Sequence, residues 1–199
     1  MIEHIIFDLG NVLVDIHPRR TMDEFAKKCG YTEEILHTFY LSDLHLGFMA
    51  GIYSPEKFYQ AMMEKFPCDM QIDEFQQIWN RVIGLPKPGI EEMVVQLAKG
   101  YTLSVCSNTD PWHWKVATDY MKFSNLFSNY FLSFEMKMNK PKIEVFQLIL
   151  NKLSVLGEQC VFIDDTYENI EAAKKLKFNC IYGNDPEIIR GKLQKQKIL

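Results

Sequence analysis

Four short apolar runs in this sequence each end in polar residues of the kind that handle phosphate or a hard cation. Asp8 closes the first run and is followed by Gly10 and Asn11. Ser107, Asn108, Thr109 and Asp110 follow the second, Lys140-Pro141 comes after the third, and Asp164-Asp165 ends the fourth. A single acid in such a place is commonly a helix N-cap, and a single Ser or Asn a turn residue. The repetition carries the argument, because open parallel sheets bind ligands at the carboxyl ends of their strands. Carboxylates gathered there repel and raise one another's pKa unless a cation lies between them. Asp8, Asp164 and Asp165 are hard oxygen donors of the kind that suit Mg²⁺, which keeps waters and phosphate oxygens in the rest of its octahedron. Ser107, neighbouring backbone N–H groups and Lys140 would then cradle a phosphate. An acidic nucleophile, a divalent metal and a lysine together describe phosphoryl transfer through an aspartyl intermediate.

The elements that must position these groups are legible as a pattern. Residues 5–9, 102–106, 130–134, 160–163 and 180–182 are short and continuously apolar, as buried parallel strands are. Residues 90–98, 143–153 and 170–176 carry apolar residues at helical spacing and would cover the sheet faces. The expected fold is a Rossmann-like three-layer α/β core. Residues 17–87 break the rhythm, reading as helix and turn with no strong strand, so they form a separate helical insert between core segments 1–16 and 88–199. Within it, Ser54-Pro55-Glu56 reads as a helix start, with Phe58, Met62 and Phe66 following on one face. Its aromatic and Met residues, among them Phe39, Tyr40, Phe48, Met49, Tyr59, Met63 and Trp79, read as bundle core. Gly84, Pro86, Pro88 and Gly89 mark the return, and the basic residues Arg190, Lys192, Lys195 and Lys197 the solvated face of a last helix.

Composition narrows the partners. With 199 residues, 47% hydrophobic, the chain can build a real core. Its net charge of −4 lacks the basic footprint of a nucleic-acid binder. No apolar run approaches the length of a membrane span, and the N-terminus lacks a basic n-region, so the expected location is the cytoplasm. The five cysteines, Cys29, Cys68, Cys106, Cys160 and Cys180, form no Cys-x-x-Cys pair and are expected to be reduced. His4, His37, His45 and His113 lack partners at ligand spacing and are expected at the surface or in the helical insert; Trp112, His113 and Trp114, which follow the Ser107 run, read as aromatic packing at a helix start, with bordering the substrate as the alternative.

The sequence resembles the haloacid dehalogenase (HAD) superfamily over its whole length. Phe7-Asp8-Leu9-Gly10-Asn11-Val12 resembles motif I, Val105 to Thr109 motif II, Asn139-Lys140-Pro141 with Phe146 motif III, and Phe162 to Asp165 with Asn169 motif IV. The resemblance implies a five-stranded parallel sheet of order 3-2-1-4-5 and a C1 cap formed by the helical insert. It implies a hydrolase with Asp8 as nucleophile, Ser107 and the Asn108 backbone on the phosphoryl group, Lys140 offsetting its charge, and Asp8, Asp165 and the Gly10 carbonyl on Mg²⁺. Asp164 and Asn169 would support these, with Asn11 nearby. The closest subgroup holds sugar-phosphate phosphatases that share the Asp-Leu-Gly-Asn-Val stretch and a later Asp, here Asp15. The expected substrate is thus a small phosphorylated metabolite such as a hexose 1-phosphate. Gly10 departs from the usual Asp-x-Asp, removing the general acid and base; Asp15, His17 and Asp110 are the candidates to replace it. The rival readings are a dehalogenase or phosphonatase, and a noncatalytic binder of phosphorylated ligands.

Overall fold

The chain folds around a parallel sheet of five strands, described in a computed structural model for residues 1–40 and 42–199. In chain order the elements begin with β1 (His4–Phe7), β2 (Val14–Ile16), α1 (Pro18–Cys29), α2 (Glu33–Tyr40), α3 (Asp43–Met49), α4 (Pro55–Lys65), α5 (Ile72–Trp79) and β3 (Ile83–Pro86). They continue with α6 (Ile90–Leu97), β4 (Thr102–Ser107), α7 (Pro111–Tyr120), β5 (Asn129–Leu132), α8 (Ser133–Met136), α9 (Ile143–Leu153), β6 (Cys160–Asp164), α10 (Tyr167–Lys174), β7 (Asn179–Tyr182) and α11 (Pro186–Lys195). The sheet order is β5-β4-β1-β6-β7, all parallel, with His4 to Phe7 in register against both Thr102 to Val105 and Cys160 to Ile163. This is the expected order 3-2-1-4-5 once the five predicted strands are numbered along the chain, and it puts β1 at the centre, where the strand order reverses.

Alternation along the central strand divides the core. Ile5 and Phe7 point into one apolar cluster with Met93, Val94 and Leu97 of α6 and Ile189 and Leu193 of α11. Ile6 points into the other, with Val145, Phe146 and Ile149 of α9 and Ile170 and Ala173 of α10. Burial on both faces explains why the strands read as unbroken apolar runs. The strand expected at 130–134 stops at Leu132, because Ser133 opens the one-turn helix α8.

Helices α1, α3, α4 and α5 share a third cluster, built from Phe25, Phe48, Phe58, Met62, Phe75 and Trp79. Phe48 and Phe58 stack at 4.2 Å, and Trp112 of α7 reaches into the cluster from the α/β core. The Ser54 hydroxyl accepts from Lys57 N, so the helix start read at Ser54-Pro55 is present as α4. Of the residues assigned to this core, the side chains of Phe39 and Tyr40 lie outside the described residues, as does Leu41.

Two expectations need correction. The 17–87 stretch is not free of strand: β3 lies within it and pairs antiparallel with β2, so a two-stranded ribbon carries the chain out of the sheet and back. Ile83-Gly84-Leu85-Pro86 is too short, with Gly and Pro inside it, to signal a strand before its partner is known. The cysteines are not all reduced: Cys29, ending α1, and Cys68, between α4 and α5, form a disulfide with Cα atoms 5.3 Å apart. Their separation of 39 residues hides this proximity, which helix packing creates. Cys106, Cys160 and Cys180 are free, the first two buried.

Candidate active site

The carboxyl ends of β1, β4 and β6 open onto a cavity of about 340 Å³ that the helical unit covers from the other side. Asp8, Gly10, Asn11, Ser107, Asn108, Thr109, Lys140, Asp165 and Asn169 line it, gathering residues up to 161 positions apart (169 − 8). Lys140 lies at its base, 4% exposed. Its Nζ donates to Asp8 Oδ1 at 2.8 Å, to Asp164 Oδ2 at 2.6 Å and to the Cys106 carbonyl at 2.8 Å. An ammonium has three protons, and here each has an acceptor. The lysine is in turn held by Asn108, whose amide donates to the Lys140 carbonyl at 2.8 Å and accepts from Lys140 N at 2.7 Å.

Asp164 is fully buried and completely engaged. Oδ1 accepts from Thr166 N at 2.8 Å, both oxygens accept from the Asn169 amide at 3.0 Å, and Oδ2 accepts from Lys140 Nζ. Asn169 sits on the first turn of α10, so a strand end and the following helix fix this carboxylate together. Asp165 points instead into the cavity, where its Oδ2 accepts from the Asn11 amide at 3.0 Å. Asn11 reaches it from a left-handed turn (φ 57°), closed by Asn11 N donating to the Val14 carbonyl.

Carboxyl oxygens of Asp8, Asp164 and Asp165 lie within 4.8 Å of one another. Burial drives the Asp8 carboxyl up to about 7, Asp164 and Asp165 push it the same way, and Lys140 offsets only part of this. Burial works against the Lys140 charge, yet Asp8 and Asp164 hold the ammonium protonated well above its ordinary range. The cluster thus retains surplus negative charge at the cavity wall. With the oxygens of Asp164 taken by Lys140, Asn169 and Thr166, the side chains open to a hard cation are Asp8 and Asp165, and they fit Mg²⁺ in type and spacing.

Gly10 lines the cavity without a side chain. A Cβ there would stand 3.1 Å from Ile16 Cγ1, so the space an acid would enter is bordered by an apolar side chain of β2. None of the three proposed replacements lines the cavity. Asp15 pairs with Lys87 at 3.1 Å, and His17 lies beside Gly84. Asp110 is fully buried: its Oδ1 caps α7 by accepting from Trp112 N and His113 N, and its Oδ2 takes Trp79 Nε1 at 3.0 Å and His113 Nδ1 at 2.7 Å. Burial pulls its pKa upward, but the His113 charge and these hydrogen bonds hold it below the usual carboxylate range.

The histidine expectation holds for His45, which lies in the helical insert on α3, and fails for His113, which is buried on α7 outside it. His45 of α3 and His113 of α7 are both nearly buried and both line the cavity. His113 is held flat against Trp79 (5.2 Å, 8°), with Nε2 3.0 Å from the Trp79 carbonyl. Asp110-x-x-His113 on a helix's first turn is the signal that could have flagged it; His45, on a remote helix, carries none. Met49, Ile16, Val82 and Ile83 complete an apolar wall opposite the carboxylates.

Comparison with known proteins agrees with this arrangement. Residues 2–177 match the haloacid dehalogenase-like hydrolase model. The chain is 23% identical to a D-ribitol-5-phosphate phosphatase from Bacteroides thetaiotaomicron, over 89% of its own length and 90% of the relative's. It is 24% identical to a phosphorylated carbohydrates phosphatase from Thermotoga maritima, over 91% and 84%. Among solved structures, a HAD family enzyme from B. thetaiotaomicron in complex with magnesium and inorganic phosphate superposes with a TM-score of 0.84 at 24% identity, covering 92% and 94% of the two chains. A HAD-like family hydrolase from Porphyromonas gingivalis gives 0.87 at 20% identity, covering 99% and 98%. Fold, strand-end cluster and family match converge: the chain belongs to the haloacid dehalogenase-like hydrolase family.

Proposed function

We propose that this protein is a Mg²⁺-dependent phosphatase of small phosphorylated carbohydrates, working through a phosphoryl group carried on Asp8. The observation that carries the reading is Lys140 bridging Asp8 and Asp164 beside an open Asp165. That arrangement pairs a nucleophile with fixed positive charge and leaves hard oxygens free for a metal. The similarity to two carbohydrate-phosphate phosphatases, and to an enzyme solved with magnesium and phosphate, supports it. The acidic cluster of Asp8, Asp164 and Asp165, suited to a metal, favours it over a dehalogenase.

Asp8, Asp165 and the Gly10 carbonyl would hold the ion, which when bound neutralises phosphoryl oxygens as a Lewis acid. Ser107 and the Asn108 backbone would orient the phosphoryl group, while Lys140 keeps Asp8 aligned and offsets charge. An Asp8 carboxylate oxygen forms a bond to phosphorus as the bond to the sugar oxygen breaks, and the sugar oxygen takes a proton from solvent water. A second water then attacks the same phosphorus, the Asp8 oxygen–phosphorus bond breaks, and the water's oxygen and protons leave with inorganic phosphate, restoring the Asp8 carboxylate. The apolar border at Gly10 supports a preference for leaving groups that need little protonation, such as the anomeric oxygen of a hexose 1-phosphate. Helices α1 to α5 would act as the cap that selects the substrate, inserted between the core segments 1–16 and 88–199. The test is phosphate release across sugar 1-phosphates, terminal sugar phosphates and polyol phosphates, with and without EDTA. Magnesium-dependent release, fastest on 1-phosphates, is expected; equal rates on both sugar classes would sink the leaving-group preference, and no release on any would sink the phosphatase reading.

A further inference from the structure

Helix α3 brings Met49 and His45 to the cavity wall, yet its C-terminal end is not satisfied within the helical unit. Leu46 O accepts from Ala50 N, Gly47 O from Ile52 N and Phe48 O from Gly51 N. The α/β core supplies three further donors to this end. Met49 O accepts from Ser133 Oγ at 2.6 Å, Gly51 O from Lys137 Nζ at 2.9 Å, and Leu46 O gains the Asn139 amide at 3.2 Å. All three donors lie between the end of β5 and Lys140. Ser133 is fully buried and faces two ways: its Oγ also accepts from Thr109 N at 2.9 Å, in the loop that lines the phosphate end of the cavity. The hydroxyl has one proton and two carbonyls in reach, Met49 O at 2.6 Å and Thr109 O at 3.0 Å; with the proton on the shorter bond and acceptance from Thr109 N, it links α3 to the loop. The fit is close: Gly51 has φ +62°, and a Cβ on it would collide with the Phe134 carbonyl oxygen.

We propose that Ser133, supported by Lys137 and Asn139, is a positioning residue that registers α3 against the phosphate loop and so decides how well the substrate's carbohydrate portion is accepted. The choice of substrates rests on the phosphatase reading; the registration itself does not. A displaced α3 moves Met49 and His45 but leaves Asp8, Lys140 and Asp165 in place. The carbohydrate portion should therefore suffer while transfer from a minimal phosphoryl donor continues.

The experiment compares Ser133→Ala, Lys137→Met and Gly51→Ala, the last opening the same seam from the opposite side. With Mg²⁺ present, kcat/KM is measured on the best sugar phosphate and on acetyl phosphate, and amide hydrogen exchange is followed over residues 46–52. The expected result is a fall of about tenfold or more on the sugar phosphate for Ser133→Ala and Gly51→Ala, and of about threefold for the exposed Lys137→Met, carried mainly by KM. In Lys137→Met and Gly51→Ala, which leave the Ser133–Thr109 bond in place, acetyl phosphate should stay within about twofold, and exchange over 46–52 should quicken in all three. Equal falls on both substrates in those two variants, or none on either, would overturn the proposal. If the wild type releases no phosphate the phosphatase reading fails, and exchange decides alone: unchanged protection in Lys137→Met and Gly51→Ala overturns the registration.

Discussion

Lys140 satisfies three acceptors with three protons, and the rest of the site follows from that saturation. It fixes Asp8, it takes Asp164 out of contention as a free ligand, and it leaves Asp165 as the open carboxylate. The adjoining gap at Gly10 gives a direct prediction. Gly10→Asp must displace Ile16, whose Cγ1 is 3.1 Å from the new Cβ, so Gly10→Asp with Ile16→Ala should raise kcat on simple alkyl phosphates above the single variant. The gain should approach the lower end of the roughly 10²–10⁴-fold worth of general acid–base help, and no gain in either variant would contradict the leaving-group argument. Asp110 gives a second. Asp110→Ala removes a helix cap and takes the buried carboxylate acceptor from His113 Nδ1 and Trp79 Nε1, so urea unfolding should show a loss of about 3–5 kcal/mol. The strand-end residues were legible because each follows an apolar run, and the family pattern named the same ones. His45 was not, since its surroundings come from Trp79 and the helical unit, which no local spacing encodes; the Asp110-x-x-His113 spacing marks His113 but does not reveal the Trp79 ring it stacks on.

Among the elements, the five core strands and their covering helices were readable because burial on both faces leaves an unbroken apolar signal. The β2–β3 ribbon was not, because a pair of short strands 67 residues apart (83 − 16) has no signal until it is paired. The Cys29–Cys68 bond was hidden for the same reason: it joins the end of α1 to the α4–α5 turn only after the helices pack. Cutting it has a measurable consequence. A bond closing a loop with a separation of 39 residues restricts the unfolded chain, so Cys29→Ser should lower stability by about 2–4 kcal/mol in urea unfolding under oxidising conditions. An unchanged midpoint would contradict a formed bond.

For the molecule as a whole, the sheet sets three acids around one point and the helical unit closes the far side, so charge at this point governs stability. Burial raises Asp8 from 3.8 to about 7. Without metal, the folded state keeps that proton over an interval in which the unfolded state has lost it. Stability of the metal-free protein should therefore fall as pH rises from about 4 to about 7. Mg²⁺ at about 100 times its dissociation constant should restore about 2.7 kcal/mol above that interval and less below it, where the proton competes. Thermal unfolding with and without EDTA at pH values spanning the interval reads both effects, and a metal-independent midpoint throughout would contradict Mg²⁺ binding. The mild acidity of the whole chain, −4, thus matters chiefly through where three of its acids stand. The central claim, that Asp8 carries the phosphoryl group, is tested most directly by acid-quenching the enzyme during turnover with Mg²⁺ and mapping its peptides by mass spectrometry. One phosphoryl group on Asp8, absent with EDTA and absent in Asp8→Asn along with turnover, is the predicted result; steady phosphate release with Asp8 unmodified, or surviving Asp8→Asn, would contradict it.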